Sequence, residues 1–136
     1  MQQTRLPTAE RQAEIVAAAL RLARGASAPT ITMSDIAAAI GVTQGALFKH
    51  FPSKEAIWLA AMRWVHKALL EALHDAASRA ATPREALTAM FRAHVDFVTA
   101  HPGVPRIIFH ELQQPSDSAA KREVRAVLQS YRALLL

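Results

Sequence analysis

Between Thr32 and Phe51 the residue pattern leaves room for little except two short helices crossing at a glycine. The run is Ile36-Ala37-x-x-Ile40-Gly41-Val42, followed by Leu47 and Phe51 at four-residue spacing. Ile36 with Ile40, and Leu47 with Phe51, lie one helical turn apart, so each pair marks an apolar stripe. Ala37 is small enough for a second helix to cross closely over it, and Gly41 permits the turn between them. Thr32 stands three residues before Asp35, the spacing of a capping box with aspartate in place of the commoner glutamate. That predicts a helix from Met33 to Ile40. Thr43 then caps a helix from Gln44 to His50, which Pro52 ends.

The rest of the chain reads as helix too. Alanine is everywhere, only 4 of the 136 residues are glycine, and no alternating run of β-branched residues suggests a strand. The predicted fold class is all-α. A first helix opens at a Thr8 cap, carries Glu10 near its positive end and stops at Gly25. The stretch Ala26 to Ile31, with Pro29, reads as loop. Ser53 caps a long fourth helix from Lys54 to about Arg79. Thr82-Pro83 opens a fifth, which Pro102-Gly103 closes. A sixth runs from Pro105 to about Gln113, and a seventh begins near Asp117. Residues 1–54 form a three-helix domain in this reading, and residues 55–136 a partial helical domain. Val127, Leu128, Tyr131, Leu134, Leu135 and Leu136 make an apolar stripe with no cap after it, so the natural protein is expected to continue.

Charge narrows the partners. The formal net charge is +5, a balance that favours polyanions such as nucleic acid. There is no cysteine, which removes disulfides and thiolate chemistry. No apolar run approaches the roughly 18 residues of a membrane span, and the polar opening Met1 to Arg11 lacks a signal peptide's apolar core. A cytoplasmic protein without membrane attachment is expected. Six histidines raise the question of metal, yet no pair has ligand spacing. His94 and His101 are two turns apart, and His110 and Glu111 point in different directions. We expect no metal and no cofactor. Nor does any serine–histidine–acid set, glycine-rich phosphate loop or carboxylate pair stand out, and the chain does not read as an enzyme.

The third helix sorts its residues by face. With Leu47 and Phe51 inward, Gln44, Gly45, Ala46, Phe48, Lys49 and His50 remain for the outer side. Gln44 sits at the helix start, where an amide can pair bidentately with adenine. Ala46 suits a thymine methyl, and Gly45 lets the backbone approach closely. Lys49 reaches a guanine or a phosphate, and Thr43 and His50 donate to phosphates. Lys54, at the positive start of the fourth helix, is placed for a phosphate oxygen. The plainer alternative makes Gln44 and Lys49 ordinary solvated residues, packs His50 on the fourth helix and wedges Phe48 inward.

At these residues a family resemblance appears. Ile31-Thr32-Met33-Ser34-Asp35-Ile36-Ala37 and Gly41-Val42-Thr43-Gln44-Gly45-Ala46-Leu47-Phe48-Lys49-His50-Phe51-Pro52-Ser53-Lys54-Glu55 resemble the DNA-binding signature of the tetracycline-repressor (TetR) family. The resemblance spans roughly Arg11 to Trp64, and beyond it only the helical layout is similar. It implies a homodimeric repressor on a palindromic double-stranded DNA operator, released when a small-molecule effector enters the second domain. On the family pattern Thr43, Gln44, Gly45, Ala46, Phe48, Lys49 and His50 are DNA-facing. Thr32, opening the second helix, joins that set, and Lys54 falls on a phosphate. Many members carry tyrosine where Phe48 stands, so here contact with a sugar or thymine replaces a phosphate hydrogen bond. Family members also carry two further helices that form the dimer interface.

The second half offers Trp64, Met90, Phe91, His94, Phe97 and Phe109 as candidate walls of the effector pocket, completed by Ile108 and Tyr131. A lone histidine such as His94 on an apolar face is more often a core residue than a ligand contact, although its neighbours suit an amphipathic small molecule. Two other functions compete: a recombinase or transposase fragment using the same motif, and an all-helical interaction module. The first needs acidic metal ligands or a nucleophile with a basic cluster, and Tyr131 has no such cluster.

Overall fold

The computed structural model describes residues 8–136, so most of the polar opening lies outside the described residues. Seven α-helices follow in order: α1 Thr8–Leu22, α2 Met33–Ile40, α3 Gln44–His50, α4 Lys54–Ser78, α5 Pro83–Ala100, α6 Gly103–Gln113 and α7 Ala119–Leu135. The described residues contain no strand, as an all-α chain requires. A 3-10 turn, Ala28–Thr30, tightens the segment expected to be loop. Pro29 presets its backbone, and the Thr30 hydroxyl donates to the Ser27 carbonyl at 2.8 Å.

Hydroxyl caps start α2, α3, α4, α5 and α7. The Thr32 hydroxyl accepts from the Asp35 N–H at 3.0 Å, and the Thr32 N–H donates back to the Asp35 carboxylate at 2.9 Å. Thr43, Ser53, Thr82 and Ser118 accept in the same way at the starts of α3, α4, α5 and α7. Each cap satisfies an N–H that the helix itself cannot. Gly41 ends α2 in the left-handed region at φ 71°, where a Cβ would be strained.

The box also has a pH signature. Hydrogen bonds from the Thr32 backbone and side chain hold the Asp35 carboxyl below its ordinary 3.8. A depressed carboxylate stabilises the fold above its unfolded value, and that contribution fades as pH falls through the lowered one. Thermal melts between pH 5 and pH 2 should therefore show a decline that Asp35→Asn makes shallower. Identical slopes for the two proteins would remove the box from the account.

Several boundaries differ from the sequence reading: Thr8 lies in the first turn of α1 rather than capping it, and α1 ends at Leu22 with turns through Gly25. Helix α6 starts at Gly103 rather than Pro105, because a proline in the first turn lacks only an N–H that has no intrahelical partner. Helix α7 starts after Ser118, while Asp117 pairs instead with Arg125 at 2.6 Å.

The core explains why the motif holds its shape. Ile15, Ala18 and Ala19 of α1, Ile36 of α2, Leu47 of α3, and Ile57, Ala61, Met62 and Val65 of α4 have no exposed surface. The same apolar cluster continues through Val104 and Ile107 of α6 to Ala120 and Val124 of α7. A smaller cluster unites Leu69 and Leu73 of α4 with Met90 of α5 and Val127 of α7. Helix α4 thus joins both clusters, running from beside α3 into the second half.

Candidate nucleic-acid interface

Helix α3 is held from behind and bare in front. Leu47 is fully buried and Phe51 is 8% exposed, whereas Phe48 between them is 46% exposed. Thr43, Gln44, Gly45 and Lys49 are exposed, and Ala46 and His50 are half-buried. Phe48 therefore points outward, not into the core. The segregation follows from helix geometry: residues three or four apart share a face, and the residue next in sequence is turned away from it.

Gly45 is informative because nothing inside the protein requires it. A Cβ built there meets only the Thr43 hydroxyl, at 4.0 Å, and the backbone is not left-handed. A glycine with no internal reason on an outward helix start leaves room for a partner's close approach. Lys49 has no carboxylate partner among the described residues, whose ion pairs lie elsewhere on the surface. Lys54 is half-buried, and its ammonium donates to the Pro29 carbonyl at 3.2 Å. That tie holds it beside the entrance to α2 rather than extended into solvent. Thr32 is exposed but already serves as the α2 cap.

The six residues read as effector-pocket walls are not gathered into one cavity. Met90 belongs to the smaller core cluster. Phe91 and Phe109 are 67% and 65% exposed. His94 meets Tyr131, whose hydroxyl lies 3.1 Å from Nδ1, and burial pushes the Tyr131 hydroxyl's pKa above its usual value. Trp64 stacks on Phe97 with centroids 5.9 Å apart and meets His101 edge-on at 4.9 Å. Two aromatic groupings result, one at Trp64–Phe97–His101 and one at His94–Tyr131.

Two features had no signal in the sequence. His66 of α4 joins Glu123 of α7 through Nδ1 at 2.8 Å and Ser130 of α7 through Nε2 at 3.0 Å. These are a serine, a histidine and an acid in line, brought together from positions 57 and 64 residues apart. Ser130 sits within α7, where neighbouring N–H groups are spent on helix bonds, so no pair of amides faces a developing oxyanion. The trio braces α4 against α7. The second feature is a cleft of mixed lining and about 580 Å³, bounded by Lys54, Glu55, Trp58, Glu111, Gln114 and Ser118. Glu111 is its one buried acid, at 7% exposure, and accepts from the Ser118 hydroxyl at 3.2 Å. Among the described residues no helix is long and apolar enough to cross a membrane, and no group of three or more His, Cys, Asp or Glu residues is arranged to hold a metal ion.

Known proteins share this arrangement. Residues 15–61 match the family model described as bacterial regulatory proteins, tetR family. The HTH-type transcriptional regulator BetI of Rhizobium meliloti is 33% identical over 121 residues, covering 89% of this chain and 58% of that one. The nucleoid occlusion factor SlmA of Actinobacillus pleuropneumoniae is 28% identical over 93 residues, covering 68% of this chain and 46% of its own. The chain therefore spans about half the length of the curated relatives it matches. In fold it is similar to the transcriptional regulator FadR of Bacillus subtilis, solved in complex with stearoyl-CoA. That match has a TM-score of 0.76 at 20% identity, over 90% of this chain and 66% of the other.

Proposed function

Because the chain belongs to the tetR family of bacterial regulatory proteins, we propose that it is a sequence-specific, DNA-binding transcriptional regulator of the cytoplasm. It acts as a homodimeric repressor on a palindromic operator and is released by a small molecule. The observation that carries the reading is the outer side of α3. Its polar and small residues are uncovered while Leu47 anchors the helix from within. In a dimer, two such helices lie about 34 Å apart, one turn of duplex.

Each residue then has a task. Gln44 reads a base edge, Ala46 and Phe48 make apolar contact, and Gly45 admits the backbone close to the duplex. Lys49 serves a guanine or a phosphate. Thr32, Thr43, His50 and Lys54 serve phosphates, Lys54 by exchanging or sharing its bond to the Pro29 carbonyl. Release works through α4, which begins directly after α3 and runs through both core clusters. An effector among the helices of residues 55–136 shifts α4, and with it the spacing of the two recognition helices. It succeeds only to the extent that it binds the released state more tightly. The bound stearoyl-CoA of the B. subtilis regulator supports a small-molecule role for this fold.

Selection of operator sequences from a random DNA pool, followed by titration at several salt concentrations, tests the proposal. Each phosphate neutralised contributes about −0.9 to the slope of log affinity against log salt. Gln44→Ala should cost about 1–3 kcal/mol and relax preference at one base pair. Lys49→Ala, if it serves a phosphate, lowers the slope by about 0.9 and affects all sequences alike. A double variant with unaltered affinity and preference would show that another surface meets the DNA. Absence of salt-sensitive binding altogether would favour an interaction module, and metal-dependent strand cleavage would favour a recombinase.

A further inference from the structure

We propose that the cleft between α1, α4 and the end of α5 is a binding site for an amphipathic anion, an aliphatic chain with a carboxylate or phosphate head. The cleft holds about 330 Å³, within the range of small-molecule sites. Its apolar side is Val16, Ala17 and Leu20 of α1 with Trp64 of α4, and its polar side is Arg21 and Arg24. No carboxylate lines it. Neither guanidinium has an acidic partner among the described residues. The cleft therefore carries unbalanced positive charge at one end and hydrocarbon at the other, a polarity that matches an anionic head and an aliphatic tail and repels a cation.

Trp64 strengthens the assignment. A tryptophan is usually well covered, yet this one is 38% exposed while its ring is fixed by Phe97 and His101. An immobilised aromatic face left partly in water gains by being covered, at little cost in ordering. His101, beyond α5, also lines the cleft and adds a hydrogen-bonding group beside the arginines. An occupant would touch α1, which packs on α2 and α3, and at the same time α4 and α5. Any effect of that contact on operator binding rests on the function proposed above; the site itself does not.

Titration of the whole chain with decanoate and with decyl phosphate, both below micelle-forming concentration and without DNA, tests the site by tryptophan emission and calorimetry. The expected result is saturable one-to-one binding with a blue shift, since Trp64 loses water while the buried Trp58 stays as it is. Arg21→Gln/Arg24→Gln should weaken binding about tenfold or more, the value of charge-assisted hydrogen bonds to the head. Ala17→Phe, at an exposed α1 position, should fill the apolar side and abolish binding with the helical signal intact. Leu87→Ser, on an exposed apolar position outside the cleft, should bind as the unaltered protein does. Equal binding of decyltrimethylammonium, undiminished affinity in the arginine variant, or no saturable signal with either anion overturns the site. The operator titration stands apart, because a chain that binds no DNA can still bind decanoate.

Discussion

Leu47→Ala is expected to cost about 2–5 kcal/mol of folding stability, whereas Phe48→Ala, one residue further on, costs about 1 kcal/mol or less. The two positions are adjacent on α3, both are large and apolar, and they occupy different sides of the helix. Leu47 has no exposed surface and belongs to the cluster formed with Ile15, Ile36 and Ile57. Truncating it loses the transfer energy of the side chain and leaves a cavity that helices on three sides cannot close. Phe48 is 46% exposed, so little surrounding structure depends on it. On the function proposed above, its loss is expected to fall on operator binding instead, as lost contact with a sugar or a thymine methyl. Urea unfolding followed by helical circular dichroism, with operator titration under conditions where both variants are folded, separates the effects. Similar unfolding free energies for the two would mean that α3 is rotated from the orientation described, and the recognition face would have to be reassigned.

How much of this was legible in the sequence depends on the range over which each feature is determined. The capping box at Thr32 and Asp35, the turn at Gly41 and the sorting of α3 into inner and outer residues are all local. Spacing within one or two helical turns decides them, and spacing is what a sequence displays. The 3-10 turn at Ala28–Thr30 has no distinct signature, because Pro29 reads equally well as loop. The start of α6 is obscured because proline reads as a boundary where it is only a tolerated first-turn residue. The second half resisted for a different reason. Leu87, Met90, Phe91, His94 and Phe97 share one side of α5, but which of them meets a neighbour is settled by α4 and α7 at long range. In the event Met90 is buried while Leu87 and Phe91 are open to solvent. The brace from His66 to Glu123 and Ser130, and the cleft beside Trp64, likewise depend on which helices pack together and carry no local spacing.

Gly103 shows the same limit from the energetic side and leads to the other large expected effect. In the sequence it reads as half of a Pro-Gly break; in the fold it is the point where α6 lies against the end of α1. A Cβ there would stand 2.5 Å from the Leu20 carbonyl oxygen and 3.0 Å from the Ala23 Cβ. Two of its three nearest neighbours are main-chain atoms of Leu20 and Ala23, which cannot swing aside as a side chain would. Gly103→Ala should therefore cost about 1–3 kcal/mol, at the upper end of the range or beyond, through overpacking. Gly25→Ala is the matched control. Nothing lies within 4 Å of its Cβ, and its φ is not positive, so alanine should be neutral or stabilise by about 0.4–1 kcal/mol through the unfolded chain. Thermal and urea melts of the pair measure the difference. Because α1 supports α2 and α3, the Gly103 variant should also displace the recognition helix and weaken operator binding before it unfolds. Equal melting temperatures for the two glycine variants would mean that α1 and α6 are not in close contact in solution. The apolar cluster would then reach the second half through α4 without α6, along the helix on which the proposed release already runs.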